Sequence, residues 1–282
     1  MEPFIRHEQE GQPVLYFIEK WMNSFPGLTV GFTSRHGGVS VEPFTSMNCG
    51  LHVQDADDAV IINRERLANT LQVPFDSLIF AEQVHSNEVI TLTQADKGRG
   101  ITSRENAIQA KDGFVTNEKG IVLCALFADC VPLFFYDPVK RVAGLAHAGW
   151  KGTVANIAAA TCSLMTTAYG SNPEHIHAAI GPSIGSCCYE VDEVVASRVK
   201  ALLSEIEMLT DDRKYVLLEQ STRKYQLNLQ ELNRILLLKA GILSSHIEVT
   251  QLCTSCSTDW FFSHRKEGGA TGRMSAWISM AK

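Results

Sequence analysis

The chain is short of positive charge. Its 282 residues carry 25 Lys and Arg against 31 Asp and Glu, a formal net charge of −6. Sequence-independent binding to nucleic acid needs a basic surface that displaces counterions, so that class of partner is excluded. Long apolar runs are also missing. The longest, Ile121 to Tyr136, is interrupted by Asp129 and Pro132 and is too short to span a bilayer. No membrane partner is expected. The segment Met1 to Glu10 lacks a basic stretch followed by an apolar one, so no secretory leader is read there. No fixed-period repeat, low-complexity tract or Pro/Ser-rich linker divides the chain. The 8 cysteines have no disulfide-framework rhythm, and the chain is far longer than the small secreted scaffolds that depend on such bonds. These absences predict a reducing, cytoplasmic setting with free thiols. Oligomeric state is not legible.

Apolar content is ample: 45% of residues are hydrophobic and 20% charged, enough for a large core. Strand-like runs fall at Leu28–Thr33, Leu78–Val84, Glu88–Thr93, Gly113–Thr116, Ile121–Phe127, Pro132–Tyr136, Val142–Ala146, His175–Ile180, Ile247–Leu252 and Ala276–Met280. Helices are predicted from Asp57 or Asp58, as cap, to about Leu71, and from Val154 to Tyr169 with Gly170 as stop. Two more are predicted around Val194–Leu203 and from Asn228, where Glu231 would complete a capping box. Short elements succeed one another without a break. The pattern predicts an α/β protein: a single domain over residues 1–282, built on a large mixed β-sheet flanked by helices.

Three segments end in residues able to bind a transition metal: Gln83-Val84-His85-Ser86-Asn87, Ala128-Asp129-Cys130-Val131-Pro132 and His147-Ala148-Gly149-Trp150-Lys151-Gly152. Each follows a strand-like run, so strand ends could bring His85, Cys130 and His147 together. Two imidazoles and one thiolate suit zinc, and three protein ligands leave a position open for water or substrate. Taken singly, each is more often a satisfied structural histidine or an inert buried cysteine. Asp129, at the end of an apolar strand, needs a partner. It either accepts hydrogen bonds in a turn or orients a metal-bound water or substrate base. The His147–Gly152 segment places His, Gly and Lys151 between a strand and a helix, where backbone N–H groups can meet an anion. Arg35, in a Gly-bearing loop, and Arg265 and Arg273, in a late one, have the planar donor fork that suits phosphate. Surface salt bridges would explain these arginines equally well. The Cys253-Thr254-Ser255-Cys256 spacing lacks a second close pair at usual spacing, because Cys187 and Cys188 are adjacent; it reads as chance. His175 and His177 have nothing near them to complete a site.

Taken together, these segments resemble the YfiH family, the laccase-domain proteins described as purine nucleoside phosphorylases and formerly as polyphenol oxidases. The resemblance also runs through Phe32–Ser40, Gly181–Gly185 with Cys188–Val191, Phe261–Arg265 and Thr271–Arg273. Departures are small: Met47-Asn48-Cys49 replaces a Leu-Asn-Leu-like run, and Cys256 is not a family feature. The resemblance implies a zinc held by His85, Cys130 and His147. It also implies phosphorolysis of adenosine, inosine and S-methyl-5′-thioadenosine, with purine nucleoside and phosphate as partners and adenosine deamination as a second activity. On that basis Asp129 is expected as a proton shuttle, and Arg35, Lys151, Arg265 and Arg273 as phosphate-binding groups. Copper is the alternative metal, since intrinsic affinity favours Cu(II), with polyphenol oxidation as a side activity. With 9 His and one His-x-His pair the chain lacks the ligands of a multicopper oxidase. Two rivals stand beside this reading: a hydrolase with Cys130 as nucleophile and His147 or His85 as base, and a non-catalytic protein that keeps zinc for stability.

Overall fold

A computed structural model describes residues 1–206, 215–221 and 223–281. Twelve strands form two six-stranded sheets, beside smaller sheets of three and two strands. The first is ordered Ile5–His7, Leu15–Phe17, Leu28–Thr33, Met274–Met280, Val122–Phe127 and Leu78–Ile79. The second runs Ile247–Val249, His177–Ile180, Val131–Asp137, Val142–Ala148, Gly113–Thr116 and Val89–Thr91. Both are mixed. Leu78–Ile79 pairs parallel to Val122–Phe127 in the first, and His177–Ile180 parallel to Ile247–Val249 in the second, beside antiparallel neighbours.

Alternation along the strands explains how the sheets stack. Leu123, Ala125 and Phe127 of the first sheet share a core with Phe134, Leu145 and Ala179 of the second. Their neighbours Val122, Cys124 and Leu126 face the other way, onto Leu67 and Ala68 of the helix Asp57–Thr70. Leu133, Phe135 and Ala146 likewise turn toward Ile157, Ala158 and Met165 of the helix Ile157–Tyr169. The layers are therefore helix, sheet, sheet, helices. A strand covered on both faces has no polar side, which is why Val122–Phe127 reads as unbroken apolar sequence. The expected α/β class, with mixed sheet flanked by helices, is what the chain adopts. Among the described residues no helix is long and apolar enough to cross a membrane.

Local chemistry shifts several predicted boundaries. The helix expected from Val154 is two helices, Trp150–Val154 and Ile157–Tyr169. Between them Asn156 adopts φ 60° and accepts a hydrogen bond from the Ala159 backbone. The helix at Asp57 starts after Ala56 without a side-chain cap, so Asp57 and Asp58 act through its dipole instead. Asn228 caps the helix Leu229–Lys239 as expected, but the Glu231 carboxylate turns to Arg234 at 2.6 and 2.7 Å, leaving the capping box half made.

The chain passes between the two sheets more than once, and one of these crossings carries a candidate ligand. After Val122–Phe127 the chain leaves the first sheet, turns through Ala128, Asp129 and Cys130, and enters the second at Val131. In that second sheet Pro132 lies opposite His147.

Candidate metal centre and its two cavities

Cys130 comes from this sheet-to-sheet crossing, His147 from the end of the strand Val142–Ala148, and His85 from the turn after Ala81–Glu82. Their ligand atoms lie within 4.8 Å of one another. The two imidazoles meet edge to face, with ring centroids 4.8 Å apart. Gly149 forms the floor. A Cβ there would stand 3.0 Å from Cys130 Sγ and 3.1 Å from His85 Cδ2, so only hydrogen leaves the ligands undisturbed.

A fourth residue organises the three, and sequence reasoning missed it. Asp112, fully buried just before the strand Gly113–Thr116, accepts a hydrogen bond at 2.9 Å from His147 Nδ1. Its two oxygens also take the backbone N–H groups of Val84, His85 and Ser86 and the Ser86 hydroxyl. One carboxylate thereby fixes the ring of His147 and the turn that carries His85, whose φ is 62°. A carboxylate behind a ligating histidine orients it and raises its basicity. The signal in the sequence was faint: Lys111-Asp112-Gly113 looks like an ordinary turn. Gln83 adds a second tie, pairing its amide with both backbone groups of Leu126.

The electrostatics follow from this geometry. Burial disfavours a charged thiolate, but the charge of His147 and hydrogen bonds from His147 and His85 outweigh it and draw the Cys130 thiol down to about 6. Burial likewise opposes protonation of His147, yet Cys130 and Asp112 raise it to about 9. Asp112, desolvated but hydrogen-bonded by His147 and Ser86, is held at about 2. Two nitrogen donors and a sulfur readily deprotonated, backed by a buried carboxylate, form a set that fits zinc or copper.

His85 and Cys130 form a wall between two cavities. One, of about 310 Å³, is lined also by His52, Gln83, Leu126, His147, His264 and Arg273. The other, of about 250 Å³, is lined by Asp129, Trp150, Lys151, Ile184, Tyr189 and Leu229. Arg273 and Lys151 thus reach the centre from opposite sides. Arg265 stands behind the second cavity: its guanidinium binds the Glu190 carbonyl at 2.8 Å and lies 5.2 Å from the centre of the Tyr189 ring. Asp129, at φ 84°, has a partner on each carboxylate oxygen. It accepts the Thr254 hydroxyl at 2.6 Å and the Arg265 backbone N–H at 2.7 Å. Those are the contacts of the turn anchor that the sequence left open. Arg35 lines neither cavity. Its guanidinium is held by the carbonyls of Thr45 and Thr258 and by Glu267, where it braces the loop carrying His264, Arg265 and Arg273. The expectation of Arg35 as a phosphate ligand is therefore not carried by its position. His52 was missed because a lone His in a Gly/Leu/Val loop gives no pattern.

The reading of Cys253 and Cys256 as a chance spacing is overturned. Their sulfurs meet those of Cys187 and Cys188, all within 4.8 Å. Adjacent cysteines in an extended strand point apart, but Ser186–Cys188 is a turn.

Residues 29–281 match the family described as multi-copper polyphenol oxidoreductase laccase. The chain belongs to this family. It is 44% identical over 271 residues to the purine nucleoside phosphorylase YlmD of Bacillus subtilis, covering 95% of each. Among solved structures, YlmD from Geobacillus stearothermophilus superposes with a TM-score of 0.92 at 40% identity, covering 100% of both chains. The Bacillus licheniformis hypothetical protein YfiH gives 0.90 at 41% identity, over 98% of this chain and 99% of that one. The family description names several coppers. Among the described residues, the groups able to share an ion are the His85, Cys130, His147 trio and the four cysteines, with no further histidine cluster.

Proposed function

We propose that the chain is a metal-dependent purine nucleoside phosphorylase with zinc held by His85, Cys130 and His147. The observation that carries the reading is the convergence of these three donors on one point, with Asp112 behind them and a cavity on either side. The names of the relatives supply the substrate class. Adenosine, inosine and S-methyl-5′-thioadenosine are the proposed nucleosides, phosphate the co-substrate, and adenosine deamination a second activity. Zinc, when bound, supplies a Lewis acid that can polarise a substrate atom. The rest falls to the protein. Asp112 fixes the His147 tautomer by accepting a hydrogen bond from Nδ1–H, leaving Nε2 for the ion. Arg273 is the one Arg or Lys lining the larger cavity, which makes it the partner for phosphate there. Lys151 offers a second cation in the smaller cavity. Asp129 acts by position, holding the Cys130 turn against Thr254 and Arg265. The glycosidic bond to C1′ breaks as phosphate oxygen bonds to that carbon, and the departing base takes up a proton.

A second reading has its own observation. Cys130, His147 and Asp112 line up as nucleophile, base and orienting acid, with the thiol already drawn down to about 6. In that scheme His85 would help to hold the thiolate by its hydrogen bond and would bind no metal. Elemental analysis of the purified protein, paired with an inosine assay with and without phosphate, separates the two. Phosphate-dependent turnover that disappears with the metal in Cys130→Ser, and a raised phosphate KM in Arg273→Gln, support the phosphorylase. A protein whose metal content is unchanged by Cys130→Ser, and which turns over without phosphate and is inactivated by thiol alkylation, supports the hydrolase. Oxidation of phenols by copper-loaded protein alone would favour the oxidase reading.

A further inference from the structure

We propose that Cys187, Cys188, Cys253 and Cys256 form a second metal site, a structural zinc bound by four thiolates. Topology brings the four together. The strands His177–Ile180 and Ile247–Val249 are parallel neighbours, so the loops that follow them leave the sheet at the same end. There the loops stay paired: Ser183 bridges to Cys253, and the Thr254 N–H donates to the Ser183 carbonyl at 3.0 Å. A turn closed by the Cys188 N–H on the Gly185 carbonyl swings both adjacent cysteines inward.

The sulfur geometry fits one tetrahedral ion. Cys256 Sγ lies 3.4 Å from Cys187 Sγ and 3.3 Å from Cys188 Sγ, and all four sulfurs fall within 4.8 Å. Zinc–sulfur bonds of about 2.3 Å place tetrahedral ligands about 3.8 Å apart, inside that spread. A disulfide requires about 2.05 Å, and all four cysteines are free. An iron–sulfur cluster divides its four thiolates between two or four irons, which spreads the sulfurs wider than ligands of a single ion. The Gly185 N–H donates to Cys253 Sγ at 3.2 Å, which fixes that sulfur in place. Gly185 also closes the backbone over the cluster: a Cβ there would lie 3.2 Å from Cys187 Sγ and 3.5 Å from Cys253 Sγ.

Four protein ligands close the coordination sphere, so this site is structural where the His85 trio is open. Its zinc staples the loop carrying Ile184 and Tyr189, two walls of the smaller cavity, to the loop whose Thr254 anchors Asp129. The two sites share no ligand.

The test begins with unaltered protein, purified under reducing conditions without chelator. About two zinc ions per chain are expected. A His85→Ala, His147→Ala variant isolates the second site. It should keep about one zinc, and cobalt in its place should give thiolate charge-transfer bands with the d–d pattern of a tetrahedral sulfur site. Cys187 and Cys256 are exposed, so Cys187→Ser, Cys256→Ser is expected to fold and to lose the ion that the histidine variant retains. In unaltered protein these two surface thiols should react with a thiol reagent only after chelation. The proposal is overturned by a histidine variant that holds no metal and gives no cobalt–thiolate bands. A Cys187–Cys256 or Cys187–Cys188 disulfide in freshly reduced and desalted protein, visible iron–sulfur absorbance, or immediate reaction of the exposed thiols would overturn it too. Failure of the phosphorylase reading would lower the count in unaltered protein to about one zinc and leave the results on the variants unchanged.

Discussion

Asp112 concentrates at one residue what the centre needs. Its carboxylate has no exposure and five hydrogen-bond donors around it, four from the turn of Val84 to Ser86 and one from His147. Asp112→Asn keeps the volume but turns an amide N–H₂ toward donors whichever way it is placed. Loss of such a partner behind a metal-bound histidine weakens binding by about 10–100-fold. The same drop in zinc affinity is expected here, measured by chelator competition, with a lower unfolding temperature as the His85 turn loosens. An unchanged affinity would reduce Asp112 to a fold-stabilising residue. The sequence exposed the ligands but hid this support. Ligand types are chemically conspicuous, whereas an Asp before a strand is indistinguishable from any turn residue until its partners are known.

At the scale of elements, the centre depends on three strand ends and one short helical start. Gly149, cap of the helix Trp150–Val154, has an ordinary φ of −68°, so alanine there brings no backbone strain. Its Cβ would instead press on Cys130 Sγ and His85 Cδ2 at 3.0 and 3.1 Å, moving each by a few tenths of an ångström. Ligand distances around zinc tolerate only about 0.2 Å. Gly149→Ala should therefore stay folded, with the metal-free unfolding temperature nearly unchanged, and bind zinc about tenfold less tightly, roughly 1.4 kcal/mol. Equal affinity in titrations of variant and unaltered protein would mean that the loop yields freely. Strand positions were legible here because double-sided burial writes itself as apolar runs. The break at Asn156 was not, since its φ of 60° answers to the packing of two helices and leaves no apolar signature.

Over the whole molecule, acid should weaken the fold at a place far from the trio in sequence. His177 sits in the second sheet with its ring against Phe25 and Trp21 and stacked 4.1 Å from His246. Burial, reinforced by His246 and partly opposed by Glu248, lowers it from 6.5 to about 4. An unfolded chain takes up this proton near pH 6.5, the native chain only near 4. Between those values the unfolded state binds more protons, so stability falls as pH drops. His177→Phe should lose less unfolding temperature between about pH 7 and pH 4.5 than the unaltered protein. Parallel pH profiles for the two would exclude this histidine as a source of acid sensitivity.

What the sequence determined by itself was chemical and local: the ligand types of His85, Cys130 and His147, the helix cap at Asn228, the stop at Gly170, and the α/β alternation with mixed sheet. Each rests on residue type and near neighbours. Tertiary structure decided what depends on residues far apart in the chain. It stacked two large sheets where one was expected, put Asp112 behind His147, and set Arg35 to bracing Glu267 and two carbonyls instead of facing a cavity. It also brought Cys187 and Cys188 to Cys256, 69 and 68 positions further on, with Cys253 beside them. Spacing rules detect metal sites built from nearby residues. A site assembled by two parallel strands leaves no such rhythm, because the sheet supplies the proximity that the chain does not.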